Sequence, residues 1–222
     1  MSDRMIDKIE SIELEGMLPH VFVSESIPLS DVWKKTVAFR RGSRYLVEAA
    51  SGGGKSSMCA YIYGARIDYE GVLKFNGIDV SRLGINDWQR LRRNNIAYLP
   101  QELSLFPELT ALQNIQLKNS LTNHVPEGRI EEWLHELGID SRRDYPVGRM
   151  SIGQQQRVGI IRAICQPFDF ILLDEPVSHL DEDNNRKAAK IIIEAADSLG
   201  AGIISTSVGN PLMLDKTVNL RL

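Results

Sequence analysis

The chain has 222 residues, of which 43% are hydrophobic and 25% charged, the composition of an ordinary globular protein with a substantial core. Its formal net charge of −3 gives no support for a nucleic-acid-binding surface, so no nucleic-acid partner is expected. No apolar run approaches bilayer-spanning length, and Met1–Arg4 lacks the long apolar stretch of a signal peptide. Cys59 and Cys165 lie in apolar helical patterns and are expected to be buried thiols in a reducing compartment. We therefore expect a cytosolic or peripheral protein.

The first hundred residues favour β structure and are interrupted by a few short helices. Apolar residues alternate with acidic ones at Ile12 and Leu14, the period of a half-buried strand. Further strands are predicted at residues 21–23, 33–39, 45–47, 71–77 and 96–99. One helix is predicted from Lys55 to Tyr63, with Gly64 ending it, and another up to Arg92, capped by Asn86 or Asp87.

A glycine-rich segment separates the predicted strand Tyr45–Val47 from the helix that follows. It reads Ser51-Gly52-Gly53-Gly54-Lys55-Ser56-Ser57. Such a loop points successive backbone N–H groups at a phosphate, and the helix N-terminus adds a partial positive charge. Lys55 would reach the outer phosphates and the Ser56 hydroxyl would bind Mg²⁺. A flexible Gly/Ser linker is the alternative, but a linker does not need Lys-Ser at its end. We call residues 49–57 the P-loop.

The strand pattern stops at Glu102 and resumes only after Met150. Within this stretch, Glu127–Leu137 carries an apolar helical stripe that Gly138 closes. Helices are then predicted over 154–165 and 184–199, and strands at 170–173, 203–204 and 218–220. Continuously apolar strands separated by helices indicate a parallel sheet covered on both faces.

The predicted fold is α/β: a P-loop NTPase core with an N-terminal antiparallel β lobe and an inserted helical lobe. We predict a single domain over residues 1–222. Residues 1–101 would form the β lobe and the P-loop part of the core, 102–153 the inserted helical lobe, and 154–222 the rest of the core.

Two carboxylates follow the apolar strand Phe170–Leu173. Ligands of open α/β sheets bind at the carboxyl ends of the strands, where Asp174 and Glu175 would lie. Asp174 is placed to hold Mg²⁺, directly or through water, and Glu175 to polarise an attacking water as a general base. A strand that ends in an acidic turn is the structural alternative, which the upstream P-loop disfavours.

A third motif narrows the identification. Just ahead of the acidic strand stands Met150-Ser151-Ile152-Gly153-Gln154-Gln155-Gln156-Arg157. With Gln101 and with Ser178–Asp181, this motif makes the chain resemble the ATP-binding cassette (ABC) family. It looks most like the small nucleotide-binding subunits of bacterial lipoprotein-release and macrolide-export transporters, through Arg92-Arg93 and Leu105–Thr110. The resemblance extends from about Ile9 to the C-terminus.

The resemblance implies a head-to-tail dimer with ATP between the P-loop of one subunit and the signature segment (Ser151–Gln154) of the other. Gln101 would sense Mg²⁺ and water, and Asp181 would join the two sites. Phe22 stands near the position of an aromatic residue that stacks on adenine, although a half-buried strand explains it as well. The implied ATP-binding residues are Phe22, Ser51, Gly52, Gly53, Gly54, Lys55, Ser56, Ser57, Ser151, Gly153 and Gln154. The Mg²⁺ ligands would be Ser56, Gln101 and Asp174, and the catalytic residues Glu175, Gln101 and Ser207.

Three positions depart from the family pattern. Ala49 replaces the first P-loop glycine, and its Cβ would cost about 1 kcal/mol or more if the position needs a positive φ. Ile152 replaces the first glycine of the signature pair. Ser207 stands where the family has a switch histidine; a serine donates a hydrogen bond but reaches less far and carries no charge. We therefore expect slow hydrolysis. His179 is expected to have a structural role.

The sequence thus predicts an ATP-binding subunit that drives separate transmembrane permease subunits from the inner face of the membrane. It would pair with an identical or a different cassette. The apolar stretch 103–109 is a candidate docking surface, although a buried helix or turn of the inserted lobe explains it at least as well. The alternatives are a soluble ABC ATPase that acts on ribosomes or DNA, and a nucleotide-binding switch without turnover. The transported substrate does not follow from the sequence.

Overall fold

The computed structural model describes residues 6–24 and 29–222, so the prediction for Met1–Arg4 lies outside the described residues. The strands are β1 (Ser11–Pro19), β2 (Thr36–Arg40), β3 (Arg44–Glu48), β4 (Tyr69–Phe75), β5 (Ile78–Asp79), β6 (Ile96–Leu99), β7 (Phe170–Asp174), β8 (Gly202–Ser207) and β9 (Thr217–Arg221). The helices are α1 (Lys55–Ile62), α2 (Ile85–Asn94), α3 (Ala111–Asn119), α4 (Glu127–Glu136), α5 (Ile152–Ile164) and α6 (Glu182–Leu199).

The N-terminal strands form an antiparallel sheet in the order β2-β1-β4-β5. β1 pairs with both β2 and β4, and its Ile12 and Leu14 are fully buried. Glu13 and Glu15 alternate with them and are half-buried on the other face, as the period of two requires. The predicted antiparallel β lobe is confirmed.

The other strands form a parallel sheet in the order β6-β7-β8-β3-β9. Every residue of β7 and β8 is buried, because helices cover the sheet on one face and α1 with the antiparallel sheet covers it on the other. Alternate residues of β7 feed two different cores. Ile171 and Leu173 pack with α3 to α6, whereas Phe170 and Leu172 pack with α1 and the antiparallel sheet. The α/β prediction is confirmed.

Between β6 and α5 the chain forms α3 and α4, as the loss of strand pattern predicts. Thr110 caps α3 with its side chain, which accepts a hydrogen bond from Gln113 N at 3.2 Å. α3 then packs along α5, and Ile115 of α3 shares one core with Ile161 of α5. The lobe boundaries at 102 and 153 stay a prediction.

The structure corrects three local predictions. Residues 20–22 form a 3₁₀ turn, not a strand, because Pro19 ends β1 and no strand in the described part of the chain pairs with them. The strand expected from Trp33 begins only at Thr36, since Lys34 takes a left-handed φ of 58°. α2 begins after Gly84, and Asp87 accepts the Gly84 N–H from the first turn of the helix at 3.0 Å.

Both cysteines are fully buried, as predicted. Burial raises the pKa of the Cys165 thiol, and burial with the nearby Asp174 raises the pKa of Cys59. Both therefore remain neutral, unreactive thiols at physiological pH.

Candidate nucleotide-binding site

Four predicted site segments meet at the carboxyl edge of the parallel sheet. The P-loop follows β3, Gln101 follows β6, Asp174 ends β7 and Ser207 ends β8. These strands are neighbours in the sheet, so their ends lie side by side. The register sets Thr206 opposite Asp174 and Ser207 opposite Glu48, the last residue before the P-loop. The sheet topology alone thus assembles the site.

The P-loop has the backbone of an anion-binding loop. Gly52 and Gly54 adopt φ values of 84° and 89°, which side chains with a Cβ rarely tolerate. α1 begins directly after Gly54, so the unpaired N–H groups of its first turn lie at the end of the loop. The helix N-terminus and the loop amides therefore offer donors to a phosphate.

Lys55 lies in the middle of this edge, with only 4% of its surface exposed. Its Nζ donates hydrogen bonds to the carbonyl oxygens of Ala49 (3.2 Å) and Ala50 (3.1 Å). It also lies 3.7 Å from Glu175 Oε1. A buried ammonium needs such partners, and it remains close to any anion that binds the loop.

The other polar residues of the predicted site are more open. Ser51, Ser56 and Gln101 are exposed. The Ser57 hydroxyl accepts a hydrogen bond from Arg66 Nη1 at 2.9 Å, which ties it to the segment after α1. Ser56 and Gln101 thus remain accessible to a bound metal or nucleotide.

Ala49 fits the P-loop without backbone strain. It is not among the residues with positive φ, so the cost that we expected for a left-handed alanine does not arise. Its methyl group instead fills the space beside Gly53. A Cβ built at Gly53 would lie 2.8 Å from Ala49 Cβ and 3.2 Å from the Ala50 carbonyl oxygen. The loop therefore tolerates Ala49 because residue 53 is glycine.

This contact predicts a coupled pair of substitutions. Gly53→Ala will weaken ATP binding, because the new methyl forces Ala49 and the phosphate-binding loop apart. Adding Ala49→Gly will restore most of the affinity, since it removes the closer clash. Titration calorimetry of the two single variants and the double variant measures the coupling. Additive losses in the double variant would contradict it.

Asp174 presents an unused oxygen to the site. The residue is 1% exposed, and its Oδ1 accepts a hydrogen bond from Thr206 Oγ1 at 2.8 Å. Its Oδ2 is buried and has no hydrogen-bond partner in the described part of the chain. A buried carboxylate oxygen is expensive to leave unpaired, and carboxylate, hydroxyl and amide oxygens are the ligands that Mg²⁺ takes. The oxygen atoms of Asp174, Ser56 and Gln101 are therefore of the kind that a magnesium ion binds.

Glu175 and Ser207 are both neighbours of Thr206. Glu175 is hydrogen-bonded to its side chain, and Ser207 follows it in the chain. Glu175 has an unusual positive φ of 51°, and its N–H donates to Thr206 Oγ1 at 3.2 Å. Ser207 is 2% exposed; its carbonyl oxygen accepts the Ala49 N–H at 3.3 Å, and its hydroxyl accepts the Gly209 N–H. The backbone of Ser207, the serine at the position of the family's switch histidine, is thus hydrogen-bonded directly to the P-loop.

The signature segment forms the N-terminal cap of α5. Ser151 and Gln154 form a reciprocal cap of α5: Ser151 Oγ accepts the Gln154 N–H, and Gln154 Oε1 accepts the Ser151 N–H. No hydrogen bond joins this segment to the P-loop in the described residues. A Cβ at Gly153 would lie 3.1 Å from the carbonyl oxygen of His179, whose side chain is exposed. The signature segment and the 178–181 loop thus share one surface.

Phe22 and Trp33 cover the P-loop from the β lobe. A Cβ at Gly54 would lie 3.0 Å from a ring carbon of each. Trp33 is buried, and its indole N–H donates to the Gly53 carbonyl oxygen at 3.1 Å. Phe22 is half-buried, so part of its ring remains available for stacking.

Sequence reasoning missed three residues that hold the site in place: Trp33, Gln156 and Thr206. Gln156 stands inside the motif 150–157 and Thr206 precedes Ser207, so both lie next to residues that the sequence analysis singled out. Their partners lie 19 to 32 positions away in the chain, and only the folded structure shows the contacts.

The comparisons with known proteins agree with this geometry. The family model described as ABC transporter matches residues 34–178. An ATP-binding protein of an uncharacterised ABC transporter from Mycobacterium tuberculosis is 31% identical over 183 residues, 81% of this chain and 56% of the relative. The lipoprotein-releasing system ATP-binding protein LolD of Novosphingobium aromaticivorans is 30% identical over 186 residues, 82% of this chain and 83% of the relative. The chain thus spans about half the length of the first relative.

A solved structure shows the same fold. The dimeric structure of MJ0796, described as a bacterial ABC transporter cassette, superposes with a TM-score of 0.77 at 23% identity. The match covers 95% of this chain and 94% of that one. Fold and site therefore define a P-loop NTPase. The chain belongs to the ABC transporter family, and within it is an ATP-binding cassette, which confirms the resemblance predicted from the sequence.

Proposed function

We propose that the chain is the ATP-binding subunit of an ABC transporter-like complex, which hydrolyses ATP slowly to drive separate membrane subunits. The observation that carries this proposal is the cluster at the sheet edge. It consists of the buried Lys55 ammonium, Glu175 at 3.7 Å from it, and Asp174 Oδ2, which has no hydrogen-bond partner among the described residues. A cation for phosphate, a free carboxylate oxygen for metal and a second carboxylate for water are the parts that ATP hydrolysis needs.

Each residue then has a chemical role. Lys55 and the P-loop amides bind the phosphates. Ser56, Asp174 and Gln101 would hold Mg²⁺, which would neutralise phosphate charge. Glu175 accepts a proton from a water molecule while the oxygen of that water attacks the γ-phosphorus. ADP leaves as inorganic phosphate forms. Ser207 donates one hydrogen bond where the family has a histidine, so orientation of the reacting groups is weaker.

A second copy of a cassette completes the site. The signature segment begins α5, and Ser151 and Ile152 are exposed there, Ile152 by 49%. A helix N-terminus with an exposed serine suits the γ-phosphate of a nucleotide held by another subunit. The dimer consists of two identical cassettes or of two different ones, and Phe22 stacks on the adenine.

A groove beside Gln101 suits the membrane partner. It has a volume of about 420 Å³ and is lined by residues that include Tyr63, Tyr98, Phe106 and Leu117. Phe106 is 53% exposed, whereas Leu103, at the start of the predicted docking surface, is buried in the core. The described residues include no helix that is long and apolar enough to cross a membrane. We place the subunit at the inner face of the membrane, against permease subunits.

Ligand-induced stabilisation tests this function. ATP with Mg²⁺ at a hundredfold excess over Kd will stabilise the native state by about 2.7 kcal/mol, which raises Tm by about 5–10 °C for a chain of this size. Chelation of Mg²⁺ with EDTA will lower the increase. Unchanged melting at millimolar Mg-ATP would overturn the nucleotide site, and permease subunits that fail to retain the cassette in detergent would overturn the transporter assignment.

The missing histidine gives a further prediction. Under saturating ATP, Ser207→His will raise hydrolysis about tenfold or more, because an imidazole reaches further and orients the γ-phosphate and water. Kd for ATP will change much less. Ile152→Gly will add to the gain by opening the signature segment. Fast turnover by the wild type, or no gain in either variant, would show that Ser207 does not limit the rate.

A further inference from the structure

The backbone of Glu175 is held in a conformation that glutamate rarely adopts. Its φ of 51° is left-handed, and this region costs energy for a residue with a Cβ. Such a conformation persists only where neighbouring groups fix it. The structure shows hydrogen bonds to both polar groups of the Glu175 backbone.

Thr206 holds the N–H side. The Thr206 hydroxyl accepts the Glu175 N–H at 3.2 Å and donates to Asp174 Oδ1 at 2.8 Å. Thr206 is fully buried at the end of β8, opposite Asp174 in the register. One hydroxyl therefore fixes the general base and, at the same time, leaves the other Asp174 oxygen free.

Gln156 holds the carbonyl side. It lies on α5, is 3% exposed, and its Nε2 donates to the Glu175 carbonyl oxygen at 3.1 Å and to Ser178 Oγ at 3.2 Å. Its Oε1 accepts the His179 N–H at 3.1 Å. The Ser178 N–H also donates to the Glu175 carbonyl oxygen, at 3.4 Å. The buried Gln156 amide therefore reinforces the turn from Glu175 to His179 and ties it to the helix that begins with the signature segment.

We propose that Gln156 and Thr206 are positioning residues that clamp the Glu175 backbone in its left-handed conformation and so aim its carboxylate at the site of water attack. The proposal rests on the proposed function, in which Glu175 is the general base. Without either hydrogen bond the backbone relaxes toward negative φ, and the carboxylate leaves its place 3.7 Å from Lys55. Neither Gln156 nor Thr206 is among the proposed ATP-binding residues, so the loss of either hydrogen bond lowers the rate more than the affinity for ATP.

Two replacements of Thr206 and a control substitution at the adjacent Ser205 test the role of the Thr206 hydroxyl. Thr206→Val keeps the shape but loses both hydrogen bonds, and kcat will fall about tenfold or more. KM for Mg-ATP will rise by a smaller factor, because Asp174, a proposed Mg²⁺ ligand, loses one hydrogen bond. Thr206→Ser keeps the hydroxyl and will retain most of kcat. Ser205→Ala is the matched control, because the adjacent Ser205 hydroxyl is buried with no partner in the described part of the chain. Its kcat will stay near that of the wild type.

The amide of Gln156 is tested in the same way. Gln156→Met keeps the length of the side chain, removes all three hydrogen bonds and will lower kcat about tenfold. Gln166→Met is its control. Gln166 is equally buried and its Nε2 also donates to backbone carbonyls, those of Arg92, Ile96 and Pro167, away from the carboxyl edge of the sheet. The control will lose stability without the selective loss of kcat.

A double variant separates positioning from general damage. In a Glu175→Gln background, Gln156→Met will not lower the residual rate further, because its hydrogen bonds lie on the turn that carries Glu175. Equal losses in both backgrounds, a rise in KM that matches the fall in kcat, or wild-type rates in Thr206→Val and Gln156→Met would overturn the clamp alone. A wild type that binds Mg-ATP but never hydrolyses it would overturn the proposed hydrolysis and the clamp with it.

Discussion

Replacement of Glu175 by glutamine will lower the rate of ATP hydrolysis about 10²–10⁴-fold, the usual effect of losing a general base. Glutamine keeps the shape and the hydrogen-bonding reach of the side chain but cannot accept the proton of the attacking water. ATP binding will persist, because Lys55 and the P-loop backbone amides bind the phosphates in the proposed site. The Glu175 carboxylate lies beside Lys55 and is not one of these groups. Phosphate release gives the rate, and calorimetry gives the affinity.

The control for this variant is Glu70→Gln, which removes an exposed carboxylate on β4. It will hydrolyse ATP at the wild-type rate. If Glu175→Gln also stays dimeric in ATP while the wild type returns to monomer, the proposed dimer is supported. A hydrolysis rate equal to that of the wild type would show that another group is the base.

Replacement of Lys55 by alanine will weaken ATP binding about 10- to 100-fold, because a charge-assisted hydrogen bond is worth about 1.5–3 kcal/mol. The ammonium is already buried and close to the loop, so it does not have to be desolvated when a phosphate binds. The increase in Tm at millimolar Mg-ATP will shrink accordingly.

Lys187→Ala is the matched control. Its exposed ammonium pairs with Asp183 on the same helix, and a surface pair of this kind contributes little. This variant will bind ATP like the wild type. Affinity for ATP that is equal in Lys55→Ala and the wild type would remove Lys55 from the phosphate site.

The sequence predicted those parts of the site that depend on local order. Gly54 followed by Lys55 marks a turn into a helix, and the apolar run that ends at Asp174 marks a buried strand with its carboxyl end at the ligand side. Parallel strands then bring such ends together whatever lies between them in the chain. Strand ends and loop glycines could therefore be located without coordinates.

The missed features depend on contacts between distant segments. Thr206 and Ser205 both carry a hydroxyl near the end of β8. Only the register with β7 gives the Thr206 hydroxyl two partners and the Ser205 hydroxyl none among the described residues. Phe22 stands in an apolar run like that of a strand, but strand formation needs a neighbouring strand, and none of the strands that the structure describes pairs with it. The sequence suggested that Ala49 would strain the backbone. The structure shows instead that its methyl group fits because residue 53 is a glycine.

The close approach of Ala49 and Gly53 also limits the order in which the two positions can change during evolution. A loop with alanine at both would place two methyl carbons 2.8 Å apart, whereas a loop with glycine at both has room to spare. Descent from an ancestor with the glycine at 49 and a larger residue at 53 must therefore lose the side chain at 53 first. Sequences that join the two states will carry paired glycines, and alanine pairs will be absent from the lineage.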